Sequence, residues 1–142
     1  MVAHERLERR LEILRDNLAD LRRYASRIPP GGLSSDRDAQ HMVLHALYVA
    51  TQAAIDAGSH VLADRGLPRA TTYAAVFERL AEAGVLSRDL AERMAGWAGM
   101  RNVVAHFYPV IDLGRVERAL RQDLGDFDDF LAAVEQLVSG SD

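Results

Sequence analysis

The stretch that decides the fold is residues 39–64, AQHMVLHALYVATQAAIDAGSHVLAD. Its apolar side chains occupy much of the circumference of a helix, and a helix with this pattern is buried against neighbours on several sides. We therefore expect it to be the central helix of an all-α protein. A hydroxyl cap at Ser34 or Ser35 would begin this helix. Gly66 suits the left-handed position that follows a helix end near Asp64.

The segment before the central helix predicts a long helix with a narrow apolar stripe. Its apolar residues alternate steps of four and three along the chain, as in a heptad repeat. They are Leu7, Leu11, Leu14, Leu18, Leu21, Ala25 and Ile28. The run PPGG at residues 29–32 cannot continue a helix and forms a turn. Such a stripe most often packs within its own chain, and an outward-facing one would form a dimer or partner surface.

A short third helix is predicted after the central one. Thr71 or Thr72 can cap its first turn, and Gly84 ends the helix after about Ala83. Ser87 can open a fourth helix in the same way.

The fourth helix should end near His106 or Phe107, because Pro109 disfavours helical geometry at the residue before it. A fifth helix is expected from Asp112 to the C-terminal tail, since its apolar residues keep near-helical spacing. They are Val116, Leu120, Leu124, Phe127, Leu131, Val134 and Leu137. Five helices with short loops predict an up-and-down helical bundle, with a four-helix core and the short third helix as an addition. We expect residues 1–142 to form one domain.

The composition excludes several classes of protein and of site. With 142 residues, 49% of them hydrophobic and 27% charged, the chain is typical of a soluble globular domain. It has no cysteine, which excludes disulfides, thiolate zinc sites and thiol nucleophiles. No apolar run approaches the ~18 residues that a membrane span needs, so we expect a cytoplasmic protein without membrane association. Because the net charge is −4, any binding of a polyanion must be local.

The chemically informative stretch is MRNVVAHFYP at residues 100–109, where the fourth helix ends. Asn102 and His106 are four residues apart and share a helix face, so the amide can hydrogen-bond an imidazole nitrogen and fix its tautomer. Arg101 lies about 100° around the helix, and its long side chain can still reach the same place. Tyr108 can fold back beside the imidazole from the following loop.

This set of side chains suits metal-independent cleavage of RNA. Histidine transfers protons near neutral pH, and a guanidinium binds two phosphate oxygens at once, so neither role needs a metal or cofactor. One histidine cannot easily be both acid and base in one concerted step, and two copies across a dimer interface could divide these roles. An arginine and a histidine near a helix C-terminus can also be simple partners of the helix dipole. Spacing alone therefore leaves both interpretations open.

The surrounding sequence is more specific than the motif. The run RNVVAHFY at residues 101–108 resembles the HepT-like toxins of the HEPN superfamily, together with TQAAIDAGSHVLADRGLPRATTYAAVFERLAEAGVLS before it and IDLGRVERALRQDLGDFDDFL after it. The match extends from about residue 40 to 135.

This resemblance implies an endoribonuclease toxin of a type VII-like toxin-antitoxin pair, working as a homodimer that cleaves RNA through the ribose 2′-hydroxyl. Arg101, His106 and Tyr108 occupy the places of the family's active-site pattern, and Asn102 matches the polar residue that usually follows the arginine. The resemblance also implies a minimal nucleotidyltransferase antitoxin, which in the studied type adds AMP units to a tyrosine near the active site. Tyr108 is the candidate acceptor.

Two further pairs of polar residues lie on the central helix. Asp56 and His60 are four apart, a spacing that suits two metal ligands, but without a third ligand a polar pair within the bundle is favoured. The resemblance gives this pair a supporting place beside the cleft. His41 and His45 have the same spacing and the same alternatives. Trp97 is expected to be a core or dimer anchor rather than a base-stacking platform.

Two other functions compete with the nuclease. A non-catalytic HEPN module would use the same cationic helix end to bind a nucleotide or to partner a nucleotidyltransferase. A structural helical dimer would use the motif for stability alone.

Overall fold

The computed structural model describes residues 2–106 and 111–140 of the chain, and within them it is all-helical. The six α-helices are α1 (Val2–Arg27), α2 (Arg37–Asp64), α3 (Tyr73–Glu82), α4 (Arg88–His106), α5 (Leu113–Gln122) and α6 (Gly125–Ser139). A 3-10 turn, Leu33–Ser35, precedes α2. No helix in these ranges is both long enough and apolar enough to cross a lipid bilayer.

Four of these helices, α1, α2, α4 and α6, form the core. Helix α2 packs against α1, α3 and α4, while α4 also packs against α6. Arg15 on α1 pairs with Glu135 on α6, which closes the ring of four. The buried residues of α2 lie all along its length, so the prediction that it is the central helix is confirmed. The four-helix core with a short added α3 is confirmed as well.

The apolar stripe of α1 belongs to this core. Its buried members are Leu7, Leu11, Leu14, Leu18, Leu21 and Ile28. The stripe therefore packs within the chain, as heptad-spaced residues most often do.

The prediction of a single fifth helix is wrong, because the chain breaks between α5 and α6. The amide of Asp123 still donates to Ala119 O at 2.9 Å, but the amides of Asp126 and Phe127 donate only three residues back. Leu124 remains buried at the break. The apolar spacing passes through the break in phase, and this is why periodicity alone did not reveal it.

The expected cap of the central helix is also wrong in detail. Asp36, and not Ser34 or Ser35, is the N-cap of α2, and its carboxylate accepts from Ala39 N at 3.1 Å. The two serines lie in the preceding 3-10 turn. Aspartate and serine are comparable N-caps, so the residue that caps α2 depends on where the preceding 3-10 turn ends.

The caps predicted for later helices are confirmed. Thr72 accepts from Ala75 N at 3.1 Å at the start of α3. Ser87 does the same for α4, and Asp112 for α5. Gly66 has φ +68° and follows α2, as a left-handed helix ending requires.

Side chains of helix α5 form hydrogen bonds with the turn between α1 and α2. The carboxylate of Glu117 accepts from Gly31 N at 2.8 Å and from Leu33 N at 3.0 Å. These two backbone donors lower the pKa of Glu117, because they favour its charged form. Arg121 donates to Ile28 O at 2.8 Å, which satisfies a carbonyl at the end of α1.

A close contact between α2 and α3 sets the distance at which the two helices pack. A Cβ placed on Gly58 would lie 2.7 Å from Val76 Cγ1 and 3.0 Å from Leu80 Cδ1. Only glycine lets the two helices approach so closely. Tyr73, the first residue of α3, is three residues before Val76, so this contact helps to position it.

Trp97 is part of the core, as predicted. Its ring lies 4.7 Å from that of Phe127, centroid to centroid, and its side chain is buried. The indole Nε1 donates to Asp126 Oδ2 at 2.9 Å, so the buried polar tip is satisfied.

Candidate active site

Arg101 reaches from α4 across to α2. Its Nε donates to Gln52 Oε1 at 2.9 Å, and Nη2 donates to the Tyr48 hydroxyl at 2.9 Å. Nη1 donates to Asn102 Oδ1 at 3.3 Å. Three of the five N–H donors of the guanidinium are used in this way, which leaves two for a ligand.

The guanidinium also lies against two aromatic rings. The Arg101 Cζ atom is 4.7 Å from the ring centroids of both Tyr48 and Tyr73. A planar, weakly hydrated cation is well suited to such contacts. Among residues 2–106 and 111–140, no carboxylate forms an ion pair with Arg101, so its positive charge is not neutralised by the chain that holds it.

Gln52 is itself held by Asp56. The amide Nε2 donates to Asp56 Oδ1 at 2.9 Å, which turns the amide oxygen toward Arg101. Asp56 is thus linked to the arginine through Gln52, and its supporting role in the site stays a prediction. No hydrogen bond joins Asp56 to His60 in the described ranges, and His60 does not line the cleft.

The cleft beside these residues has a volume of about 1070 Å³. Its wall is formed by α2, the loop from α2 to α3, the start of α3 and the end of α4. Asn102 and His106 line it, as do Asp56, Arg69 and Tyr73. This volume is at the upper end of what small-molecule sites enclose, so more than one nucleotide unit fits.

His106 is the last residue of α4 and its side chain is exposed in the cleft. Within the described ranges, no hydrogen bond joins it to Asn102, whose oxygen instead accepts from Arg101. The expected orientation of the imidazole by Asn102 therefore stays a prediction. Tyr108 lies outside the described residues.

The other histidine pair is remote from this arrangement. His41 and His45 are exposed on α2 and do not line the cleft. Across the described part of the chain, no group of three His, Asp or Glu side chains is placed to hold a metal ion.

Sequence reasoning missed Tyr48, Gln52 and Tyr73. The first two had a usable signal, because Tyr48, Gln52 and Asp56 are spaced four apart and so share one face of α2. Tyr73 had none, since its contact with Arg101 depends on how α3 packs.

Comparison with known protein families matches residues 14–134 to the family described as Ribonuclease HepT-like. This chain belongs to the ribonuclease HepT-like family. The predicted resemblance is confirmed, and so is the prediction of an endoribonuclease, at the level of this family. Arg101, His106 and their neighbours thus form the candidate active site of a HepT-like protein.

Individual relatives agree with this membership. The tRNA nuclease HepT of Aphanizomenon flos-aquae is 31% identical, over 80% of this chain and 77% of the relative. A solved structure of the tri-AMPylated Shewanella oneidensis HEPN toxin in complex with MNT antitoxin has a TM-score of 0.74 at 22% identity. That match covers 87% of this chain and 97% of the toxin. The Bacillus subtilis protein YutE has a TM-score of 0.83 at 12% identity, over 96% of this chain and 90% of YutE. Both solved structures share the helical fold of this chain.

Proposed function

We propose that this protein is a metal-independent endoribonuclease and the toxin of a toxin-antitoxin pair. The observation that carries the proposal is the guanidinium of Arg101, which among the described residues is held by neutral partners alone. Three of the residues that it contacts, Gln52, Tyr73 and Asn102, line the cleft that His106 also lines. A cation without an ion pair in the described part of the chain, next to a cleft lined by an exposed imidazole, suits the binding and cleavage of a phosphodiester.

In the proposed reaction the ribose 2′-oxygen forms a bond to the adjacent phosphorus while the bond from phosphorus to the 5′-oxygen breaks. The two free N–H donors of Arg101 bind the non-bridging oxygens, where negative charge increases in the transition state. His106 transfers the proton, either from the 2′-hydroxyl or to the 5′-oxygen that leaves. The products are a 2′,3′-cyclic phosphate and a free 5′-hydroxyl.

One imidazole per cleft cannot readily carry out both proton transfers in one step. We therefore propose that two copies of the chain form a homodimer in which each contributes His106, one acting as base and the other as acid. Asn102 would orient the imidazole in the complex with RNA, and Tyr108 would assist it. The whole chain acts as one domain, and its site of action is the cytoplasm.

The proposed partner is a minimal nucleotidyltransferase antitoxin. The related Shewanella oneidensis toxin, solved in tri-AMPylated form with its MNT antitoxin, supports this choice. Tyr108 is the proposed acceptor of AMP units, since it follows His106 by two residues. Bulky, charged AMP units there would block RNA from the cleft.

The experiment is cleavage of total RNA by the purified protein in the presence of EDTA. We expect 2′,3′-cyclic phosphate ends, and a loss of about 10²-fold or more in rate for Arg101→Ala and for His106→Ala. His4→Ala is the matched control, because His4 is exposed on α1, outside the cleft, and its loss should leave the rate unchanged. Full activity of His106→Ala would remove the assignment. Saturable RNA binding without any cleavage would instead support a non-catalytic nucleotide-binding module.

A further inference from the structure

The cleft has a second wall that the proposed chemistry does not use. The loop from α2 to α3 and the first residue of α3 contribute Arg69, Thr71, Thr72 and Tyr73 to it. Arg69 is exposed, and no residue in the described ranges pairs with it or accepts a hydrogen bond from it. The wall of the cleft therefore carries an arginine, Arg69, whose charge is available to a ligand. Arg101 is a second cation next to the cleft, since it contacts the lining residues Gln52, Tyr73 and Asn102.

Tyr73 is an aromatic residue with an unusually large exposed fraction. It is 39% exposed, and Met42 and Val103 are the other large hydrophobic side chains in the described ranges with comparable exposure. The Arg101 guanidinium lies over the ring with its Cζ 4.7 Å from the centroid, and the exposed part of Tyr73 lines the cleft.

The backbone beneath Tyr73 is firmly held. The Thr72 side chain caps α3 at Ala75 N, and the close approach of α3 to Gly58 fixes the first turn against α2. A ring fixed in this way loses little conformational entropy when a flat partner stacks on it.

We propose that Tyr73 stacks on a nucleobase of the RNA beside the scissile phosphate, and that Arg69 binds a flanking phosphate. This inference rests on the proposed function, and it specifies the substrate as single-stranded or looped RNA. A base in a duplex is stacked and paired, so its face is not available to a side chain. The cleft volume of about 1070 Å³ accommodates such an unstacked segment.

The alternative role of Tyr73 is to hold Arg101 and nothing more. The two roles differ in whether the base itself matters. If Tyr73 stacks on a base, its loss weakens the binding of strands that carry bases and of no others. If it only positions Arg101, its loss weakens the binding of any strand that has phosphates, with or without bases.

The test uses two fluorescent hexamers that cannot be cleaved, a 2′-O-methyl oligouridine and a matching strand without bases. Binding is measured by anisotropy with the full-length protein. We expect Tyr73→Ala to weaken binding of the base-bearing strand about 5- to 100-fold and binding of the strand without bases less than about twofold. Tyr73→Phe keeps the ring and should bind both strands as the unchanged protein does. A duplex of the same sequence should bind weakly to all three proteins.

Arg69 is tested by the salt dependence of binding, with Arg65→Ala as the matched control. Both arginines are exposed and near in sequence, but Arg65 does not line the cleft. Loss of one phosphate contact lowers the slope of log K against log salt by about 0.7 on a single strand. Arg69→Ala should show that decrease and Arg65→Ala should not.

Equal weakening of both strands by Tyr73→Ala, or equal slopes for the two arginine variants, would overturn the inference. Cleavage of total RNA by the unchanged protein is measured in parallel. Cleavage without the expected binding pattern overturns this inference alone. The binding pattern without cleavage supports the inference and contradicts the nuclease proposal.

Discussion

At the scale of single residues, Arg101 shows what a guanidinium offers that an ammonium does not. It lies against the rings of Tyr48 and Tyr73 while its N–H groups donate to Gln52 and the Tyr48 hydroxyl. A lysine could neither stack in this way nor donate in several fixed directions. The surrounding residues hold the cation in place without neutralising it.

Replacing Gln52 by glutamate tests whether the neutral surroundings of Arg101 matter for activity. The new carboxylate would take the place of an amide oxygen that lies 2.9 Å from Arg101 Nε, and would pair with the guanidinium. We expect Gln52→Glu to lower kcat/KM for RNA by at least about tenfold, because the added negative charge opposes the phosphate. Single-turnover cleavage assays measure the effect.

The control for this variant is Gln136→Glu, which adds the same charge at an exposed position on α6. It should leave the cleavage rate within about twofold of the unchanged protein. Equal rates for Gln52→Glu and the unchanged protein would show that the neutral surroundings of Arg101 do not matter.

At the scale of helices, the contact between α2 and α3 is predicted to affect both stability and RNA binding. In Gly58→Ala the new methyl group would meet Val76 Cγ1 at 2.7 Å, so α3 must shift. We expect the free energy of unfolding in urea to fall by about 1–3 kcal/mol. RNA affinity should fall too, because Tyr73 moves with α3.

Gly96→Ala is the matched control, since a Cβ there meets no heavy atom within 4 Å. In the middle of α4, alanine should stabilise the helix by about 0.5–1 kcal/mol. If the two variants have equal free energies of unfolding, α3 adjusts to the new methyl group at Gly58 without loss of stability.

The contact of α5 with the turn after α1 predicts a pH-dependent stability. Because backbone N–H groups lower the pKa of Glu117 in the folded chain, its contribution is complete above the ordinary value of about 4.3. It is lost as the pH falls through the lower folded pKa. We expect Glu117→Gln to lower the Tm at pH 7 by about 2–5 °C.

This difference in Tm should shrink as the pH falls below the ordinary pKa and through the lower folded pKa, because below both the carboxyl is neutral in the folded and the unfolded chain. Thermal unfolding followed by circular dichroism at each pH measures it. Glu12→Gln, at an exposed position on α1, is the control and should show no such convergence. A constant difference at every pH would contradict the role given to Glu117.

At the scale of the whole molecule, the net charge of −4 makes RNA binding a local property. Arg69 supplies positive charge in the cleft and Arg101 next to it, while ion pairs such as Arg15–Glu135 join exposed side chains away from the cleft. Exposed pairs of this kind contribute little to stability, so the buried core stabilises the bundle.

The division of acid and base between two copies is tested with a mixed dimer. Sedimentation should give twice the 15.7 kDa of one chain. We expect a dimer of one unchanged chain and one His106→Ala chain to cleave RNA at no more than about 1% of the normal rate, because one proton transfer is lost. A mixed dimer with His4→Ala should retain the full rate. Half of the normal rate for the first mixture would mean that each histidine acts alone.

Much of this architecture follows from the sequence because it depends on local patterns. Apolar periodicity and capping residues such as Thr72 and Ser87 determine where helices form, and they act over only a few residues. The motif residues Arg101, Asn102 and His106 could be named for the same reason, since they occur within six consecutive positions.

The partners of the motif were decided by tertiary structure. Tyr48, Gln52 and Tyr73 contact Arg101 only because α2, α3 and α4 pack at particular distances, one of which depends on the absence of a side chain at Gly58. The sequence alone determined most of the helices, with the break between α5 and α6 as the exception, and it supplied the candidate active-site residues. The packing of those helices determined that neutral side chains hold the guanidinium, with no ion pair to it in the described part of the chain, because contacts between distant segments depend on the shape of the whole core.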